Sequence, residues 1–222
     1  MSRKEMMKRV VLLSLLILPF LVYFVLVYSA KENFFVKLEY VGPKEAIQVT
    51  NDKGEEQWDT NYYKVPNFEF TTQDDTLLSR SDIEGQISII NFFFSTCPSI
   101  CPAMNYNDQQ VQEHFKAYEN FTIVSFSVDP EHDTVEILKA YEKKMSARSG
   151  LWYFLTGDKD EIYKTANEFF LSAMEDSVAA GGYLHSENLV LVDWDGHIRS
   201  GRDDNGNLRG VYNGLSPDEI NN

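Results

Sequence analysis

The distribution of hydrophobic and polar residues divides the chain into an apolar N-terminal block and a longer mixed remainder. The block runs from Val10 to Tyr28, which is 19 residues without a charge. As a helix it would measure roughly 28 Å, which matches the hydrocarbon core of a bilayer. Basic residues precede the block, so the positive-inside rule places the N-terminus in the cytoplasm and the remainder across the membrane.

A cleaved signal peptide is the alternative interpretation of this block. Its apolar region should span about 7–15 residues and end in small residues before the cleavage site. Ser29 and Ala30 are small, but Val27 and Tyr28 upstream suit a cleavage site poorly. We therefore favour an uncleaved transmembrane anchor. Either interpretation exports the rest of the chain to the extracytoplasmic side.

The remainder alternates between strand-like and helix-like patterns. Dense apolar runs of strand length predict buried strands, and amphipathic patterns predict helices between them. The predicted elements are a hairpin (68–71 and 76–78), a helical turn (81–85), strand 87–94, helix 104–118, strand 121–128, helix 134–145, strand 151–156, helix 160–170, strand 189–193 and a returning strand 197–200. We expect Asp133 or Thr134 to cap the second helix.

Strands that alternate with helices predict parallel strands with helices on both faces of the sheet, and the closing Asp-Gly hairpin makes that sheet mixed. The expected fold is therefore α/β, a thioredoxin-like mixed sheet with flanking helices after one transmembrane helix. Ser216 and Pro217 predict the start of one more helix. We divide the chain into a basic cytoplasmic tail (1–9), the transmembrane anchor (10–28), a juxtamembrane connector with a short hairpin near 51–54 (29–64), and the thioredoxin-like domain (65–222).

The charge of the chain excludes nucleic acid as a partner. The chain has 20 basic and 34 acidic residues, a net charge of −14. Residues 1–30 hold four basic residues and one acidic residue, so the remainder has 16 basic and 33 acidic residues, a net charge of −17. Binding to phosphates requires a cationic surface instead. The two cysteines are too few for a disulfide scaffold or a four-cysteine zinc site.

Both cysteines lie in one segment that directly follows the apolar strand 87–94 and opens the first predicted helix. Cys97 and Cys101 are four residues apart, so a helix would place them on one face, and a helix N-terminus stabilises thiolates. Two such thiolates can bind a soft metal, above all Cu(I), or form a disulfide that exchanges with partner thiols. The three intervening residues suit a metal better than a disulfide, without excluding the latter.

A site with two thiolates usually has a third ligand, and the chain offers four histidines. His114 lies more than three helical turns beyond Cys101, and His197 lies at a hairpin tip, so we interpret both as surface residues. His132 follows the second parallel strand, at the sheet edge of the cysteines, and is a genuine candidate. His185 lies in a loop ahead of strand 189–193. A flexible loop there could bring its imidazole to the cysteines, which makes His185 the leading candidate.

Three segments carry a resemblance to a known family. They are Cys-Pro-Ser-Ile-Cys-Pro at 97–102, Ser-Val-Asp-Pro-Glu-His-Asp-Thr at 127–134, and His185 ahead of an apolar strand. Together they resemble the Sco/SenC family of membrane-anchored, thioredoxin-fold copper proteins over roughly residues 65–217. The resemblance implies that Cys97 and Cys101 are a copper-binding and redox-active pair and that His185 is the distal copper ligand. It also implies that Asp129 supports the site without ligating, and the family commonly has arginine where this chain has His132.

The resemblance implies a metallochaperone that delivers copper, as Cu(I) or Cu(II), to the dinuclear copper site in subunit II of a respiratory haem-copper oxidase, or to another copper-accepting client. Such a role needs no turnover, so we do not expect an enzyme. The alternative is a thiol–disulfide oxidoreductase that reduces the client's cysteines or senses redox state, with Cys97 attacking and Cys101 resolving. A peroxidase would need an arginine beside the attacking cysteine, and the nearest, Arg80 and Arg148, are distant in sequence.

Overall fold

The computed structural model describes residues 3–31 and 37–216. Two compact units make up the chain, one up to Lys37 and one from Leu38 onward. The helix predicted to begin at Ser216 and Pro217 lies outside the described residues.

The first unit contains helix α1 (Arg3–Lys31), which continues through Pro19 without a break. Its segment Arg3–Val25 has a mean hydropathy of 2.1 and is long and apolar enough to cross a membrane. A signal sequence would satisfy the same criterion. The predicted helix is thus confirmed, and its role as a membrane anchor stays a prediction.

The second unit is built on one mixed sheet. Its strands and helices are β1 (Glu39–Tyr40), β2 (Lys44–Thr50), β3 (Glu56–Tyr62), β4 (Glu69–Thr72), β5 (Leu77–Ser79), a 3-10 helix (Arg80–Ile83), β6 (Ile87–Phe93), α2 (Cys101–Phe115), β7 (Phe121–Ser127), α3 (Val135–Lys144), β8 (Trp152–Thr156), α4 (Lys159–Glu168), β9 (Ala173–Glu175), β10 (Tyr183–His185), β11 (Asn188–Val192), β12 (Ile198–Ser200) and β13 (Tyr212–Asn213). The sheet order is β1-β12-β11-β6-β7-β8-β4-β5, and β13 pairs with β11.

Strands β6, β7 and β8 are parallel and form the centre of the sheet. Alternate residues of β6 point to opposite faces. Ile90 and Phe92 belong to one core cluster, which α4 covers with Ile162. Phe93 belongs to the second cluster, on the face that α2 and α3 cover. The dense apolar runs therefore mark strands that are buried on both faces, and the predicted α/β mixed sheet is confirmed.

Helix α2 differs from its prediction at its start. It begins at Cys101, three residues before the predicted start at Met104. Pro102 explains the difference, because a proline lacks the N–H that the first helical turn leaves unpaired and its fixed φ suits that turn. Cys101 is consequently part of the helix, whereas Cys97 lies in the loop before it.

Two small ribbons stand beside the main sheet. Strands β2 and β3 form an antiparallel hairpin, which confirms the hairpin predicted near residues 51–54. Strands β9 and β10 pair over three residues in a region for which we predicted no strand. The division of the chain at residues 28 and 64 stays a prediction.

Candidate metal centre

The cysteine loop, as we call residues 95–101, follows β6 and ends on Cys101, the first residue of α2. The Cys97 amide donates a hydrogen bond to the Phe94 carbonyl at 3.1 Å. Cys97 is half-buried, whereas Cys101 is only 2% exposed and packs with Phe93 in the core. The loop therefore presents one accessible thiol and one thiol within the protein interior.

Asp133 holds the cysteine loop by hydrogen bonds. This side chain is fully buried. Its carboxylate accepts hydrogen bonds from the Ser95 amide at 2.9 Å and from the Ser127 hydroxyl at 2.5 Å. The Ser95 hydroxyl also donates to it. Asp133 thus connects the loop to the end of β7, and charge-assisted hydrogen bonds of this kind are the strong ones.

His185 reaches the cysteines from the β9–β10 ribbon, of which it is the last residue. Its Nδ1 lies 3.0 Å from the Ser186 carbonyl oxygen. That acceptor assigns the proton to Nδ1 and leaves a lone pair on Nε2. Nε2 lies 3.1 Å from Cys101 Sγ and 4.0 Å from Cys97 Sγ. Nε2 is therefore turned toward both sulfurs, as the third ligand of a metal ion bound there would be.

The donor set of Cys97, Cys101 and His185 fits a single metal ion. The three donor atoms lie within 4.8 Å of one another. Metal–ligand bonds of about 2.0–2.3 Å place the ligand atoms of one ion roughly 3–4 Å apart. Thiolates select Cu(I), and imidazole is a good ligand for Cu(II). Within residues 3–31 and 37–216, it is the single group of three histidine, cysteine or acidic side chains with this geometry.

The two thiols differ in acidity. The pKa of Cys97 is lowered, because the Cys101 thiol donates a hydrogen bond to its thiolate and because backbone amides of Ser99 and Cys101 add to this stabilisation against the effect of burial. The pKa of Cys101 is raised, because that same hydrogen bond retains its proton and because the side chain is buried. Cys97 is therefore the sulfur that ionises first.

The other histidines do not join this group. His132 Nδ1 lies 2.9 Å from the Asp133 carboxylate, which raises the pKa of His132. His197 Nδ1 lies 2.8 Å from the Tyr63 carbonyl oxygen. His114 is exposed on α2. Of the four histidines, the structure thus brings only the leading candidate to the cysteines.

The roles of two residues near the centre, Asp133 and Tyr183, were not predicted from the sequence. We considered Asp133 only as a helix cap, although it follows the carboxyl end of a parallel strand, where open α/β sheets form their sites. Tyr183 was passed over because we predicted a loop there. Its hydroxyl donates to Asp129 at 2.8 Å, so Asp129 supports the surroundings of the centre and is not one of the donor group. The two-residue spacing of Tyr183 and His185 was the available signal.

Comparison with known proteins identifies relatives of this chain. Residues 57–215 match the model of the SCO1/SenC family. A SCO1 protein homolog of Bacillus subtilis (strain 168) is 32% identical over 148 residues, which are 65% of this chain and 76% of that protein.

Solved structures share the architecture as well. BsSco, a member of the Sco family of cytochrome c oxidase assembly proteins in which a disulfide switch was identified, is 29% identical, with a TM-score of 0.59 over 71% of this chain and 89% of that one. Bradyrhizobium japonicum ScoI, solved with copper bound, has the same fold at 24% identity, with a TM-score of 0.56 over 64% of this chain and 90% of that one. These likenesses confirm the predicted family and fold class.

Proposed function

The chain belongs to the SCO1/SenC family, and from this premise we propose that it is a copper metallochaperone. It delivers copper to the dinuclear copper site in subunit II of a haem-copper oxidase during assembly of that enzyme. The group of Cys97, Cys101 and His185 carries the proposal, because two sulfurs and one imidazole nitrogen converge within 4.8 Å. The membership of BsSco in a family of cytochrome c oxidase assembly proteins supports the choice of client.

The unequal burial of the ligands suits a site that must release its metal. Cys101 and His185 are 2% and 6% exposed, so they hold the copper ion from the interior. Cys97 is half-buried and ionises first. A thiolate of the client can therefore approach from the Cys97 side and replace that ligand, while the two interior ligands retain the ion until the client completes its own site.

Helix α1 supplies the location in this proposal. It crosses the membrane with its basic N-terminal residues in the cytoplasm. The copper-binding unit then lies on the extracytoplasmic side, at the surface of the membrane that holds the oxidase. The tether confines the metallochaperone to the neighbourhood of a membrane-bound client and raises their effective concentration.

The substitution His185→Ala tests the ligand set. We expect the Cu(II) affinity of the full-length protein in detergent to fall about 100-fold or more, because removal of even an outer partner of a metal ligand costs about 10–100-fold. His132→Ala and His197→Ala are the matched controls and should leave the affinity unchanged. Isothermal titration or competition with a chelator of known affinity measures the effect. An unchanged affinity in His185→Ala would contradict the assignment.

A thiol–disulfide oxidoreductase is the second candidate, and the unequal pKa values of the two cysteines favour it. The Cys97 thiolate would attack one sulfur of a client disulfide and expel the other as a thiolate. Cys101 would then lose its proton, attack Cys97 and release the second client thiolate. The client gains two electrons, and the Cys97–Cys101 pair becomes the disulfide.

Trapping distinguishes this candidate. With Cys101→Ser, the reaction should stop at a mixed disulfide between Cys97 and the oxidised copper-site domain of subunit II, visible by non-reducing electrophoresis and mass spectrometry. Cys97→Ser is the matched control and should form no adduct. The absence of an adduct with Cys101→Ser would rule out the reductase activity. It would not count against the proposal that the protein delivers copper.

A further inference from the structure

Tyr183 connects the ribbon that carries His185 to the end of β7. Its hydroxyl donates a hydrogen bond of 2.8 Å to the Asp129 carboxylate, which lies two residues beyond β7. Tyr183 and His185 are two positions apart in β10, so their side chains lie on the same face of the ribbon. A hydrogen bond at Tyr183 therefore acts on the face that presents the imidazole to the sulfurs.

The same face of the ribbon has further contacts with the domain. The centre of the Tyr183 ring lies 5.4 Å from the centre of the Phe94 ring, which also lies 5.7 Å from the centre of the His185 imidazole. Lys159, the first residue of α4, lies 5.6 Å from the centre of the Tyr183 ring. Lys159 also pairs with Glu175, which is the cross-strand partner of Tyr183. The contacts of Tyr183 thus combine an aromatic neighbour, a cation and a charged acceptor.

The position of the ribbon depends on these side-chain contacts, because few residue pairs join its two strands. Its three residue pairs join β9 and β10 to each other. Within the part of the chain that the structure describes, neither strand pairs with the main sheet. A two-stranded ribbon is only marginally stable in water by itself. The position of His185 Nε2 must therefore be set by contacts such as the one between Tyr183 and Asp129.

We propose that Tyr183 is a positioning residue of the metal centre. Its hydrogen bond to Asp129 holds the His185 imidazole beside the two sulfurs, and thereby sets how strongly the site prefers Cu(II) over Cu(I). The proposal rests on the copper-binding function proposed above. Thiolates hold Cu(I) well without imidazole, whereas Cu(II) gains more from the nitrogen ligand. A displaced imidazole therefore weakens Cu(II) binding more than Cu(I) binding.

The substitution Tyr183→Phe tests the proposal, because it removes the hydroxyl and keeps the ring beside Phe94. We expect the Cu(II) affinity of the full-length protein to fall about tenfold, as for other residues that orient a metal ligand, while the Cu(I) affinity stays the same. A tenfold change in this ratio raises the one-electron potential by about 59 mV. Chelator competition for each oxidation state and a redox titration measure the two quantities.

A metal-free measurement tests the same hydrogen bond without copper. At one end of the ribbon the Ser186 backbone amide donates to the Ser172 carbonyl. At the other end the Asp176 backbone amide donates to the Gly182 carbonyl. In Tyr183→Phe both amides should exchange their hydrogen with solvent faster than in the wild type, since the ribbon opens more often. Unchanged exchange would overturn the claim that this hydrogen bond holds the ribbon.

Tyr163→Phe is the matched control. The Tyr163 hydroxyl donates to the Val128 carbonyl at 3.0 Å, so this change also removes a tyrosine hydroxyl close to Asp129, but one whose hydrogen bond goes to the residue after β7 and not to the ribbon. It should leave both copper affinities unchanged. Asp129→Asn keeps an oxygen acceptor and should preserve most of the Cu(II) affinity. Asp129→Ala should reproduce the loss, and adding Tyr183→Phe to it should cause no further loss.

The outcomes separate this inference from the proposed function. The inference is overturned if wild-type protein binds copper and Tyr183→Phe retains the wild-type ratio of Cu(II) to Cu(I) affinity. It is also overturned if both affinities fall in parallel with the melting temperature, since that indicates a purely structural role. A wild-type protein that binds neither oxidation state contradicts the proposed function itself.

Discussion

The two sides of the candidate metal centre are built in different ways. The cysteine loop follows a central parallel strand and rests on the buried Asp133 carboxylate, which receives hydrogen bonds from two segments of chain. The ribbon that carries His185 has three residue pairs and lies outside the main sheet. The cysteine positions are therefore set by the core, whereas the histidine position is set by a few side-chain contacts.

For the copper carrier that we propose, this difference separates the affinity for Cu(I) from the affinity for Cu(II). A firmly positioned pair of sulfurs keeps the affinity for Cu(I) high. A less firmly held imidazole can change its distance to the sulfurs with little effect on the fold, because local openings occur where few buried contacts hold a segment. Changes on the cysteine side should consequently affect both oxidation states and stability, and changes in the ribbon should affect mainly Cu(II).

The largest effect is expected from Asp133→Ala, on the cysteine side. The substitution leaves the half-buried Ser95 amide and the buried Ser127 hydroxyl without their acceptor, at a total cost of about 4 kcal/mol in the free energy of unfolding. Affinities for Cu(I) and Cu(II) should fall together as the loop loosens. Urea denaturation and chelator competition measure the two effects.

His132→Ala is the control for this prediction, because it removes only the exposed partner of Asp133. It should change stability by less than about 1 kcal/mol. If Asp133→Ala changed the Cu(II) affinity alone, the proposed division between the two sides of the centre would be wrong.

The second effect concerns Asp108, which attaches α2 to β6 on the cysteine side. Asp108 is buried, and its carboxyl accepts a hydrogen bond of 2.8 Å from the side-chain amide of Asn91. Burial raises the pKa of Asp108 to about 7. Between about pH 4 and pH 7 the native carboxyl is protonated while the unfolded one is ionised, so unfolding releases a proton. Stability should therefore fall as pH rises through this window, by roughly 1.4 kcal/mol per unit.

Asp108→Asn removes this titration and keeps an acceptor for Asn91. The variant should match the wild type near pH 4 and exceed it by roughly 4 kcal/mol at pH 8. Urea denaturation at several pH values between these limits isolates the contribution, because all other titrating groups are common to both proteins. A difference that does not vary with pH would contradict the assignment of the buried proton to Asp108.

The smallest effect is expected in the ribbon, from Gly181→Ala. Gly181 has φ +89°, and an added Cβ would lie 2.7 Å from the Phe94 ring. The left-handed backbone and the clash together should cost about 2 kcal/mol and move the ribbon away from Phe94. We expect Cu(II) affinity to fall and Cu(I) affinity to stay the same.

Gly182→Ala is a matched control. Its φ is +86°, but an added Cβ would meet nothing within 4 Å. This variant should lose about 1 kcal/mol of stability from the backbone alone and keep the wild-type copper affinities. Equal loss of Cu(II) affinity in both variants would mean that backbone strain, and not contact with Phe94, positions the ribbon.

The central sheet could be predicted from the sequence because its strands are long and apolar. The run predicted at residues 87–94 is β6 (Ile87–Phe93), and the run at 121–128 is β7 (Phe121–Ser127). The cysteine pair was equally visible, since both residues lie within one short motif after a strand. These features depend on local composition, which a single sequence contains.

The surroundings of His185 could not be predicted in the same way. Strands β9 and β10 have three residues each, too few for an alternating pattern, and Gly181 and Gly182 favoured a loop. The hydrogen bond between Tyr183 and Asp129 joins residues that are 54 positions apart. Asp133 was ambiguous because an acidic residue before a helix also caps it. Contacts of this kind depend on the folded arrangement of distant segments.

X-ray absorption at the copper edge, on the copper-loaded full-length protein, tests the central claim most directly. It counts the sulfur and nitrogen ligands of each copper ion. Two sulfur ligands and one imidazole nitrogen in the wild type, with loss of the imidazole signal in His185→Ala, are the result that we predict. An imidazole signal that persists in His185→Ala, or fewer than two sulfur ligands in the wild type, would contradict a copper site formed by Cys97, Cys101 and His185.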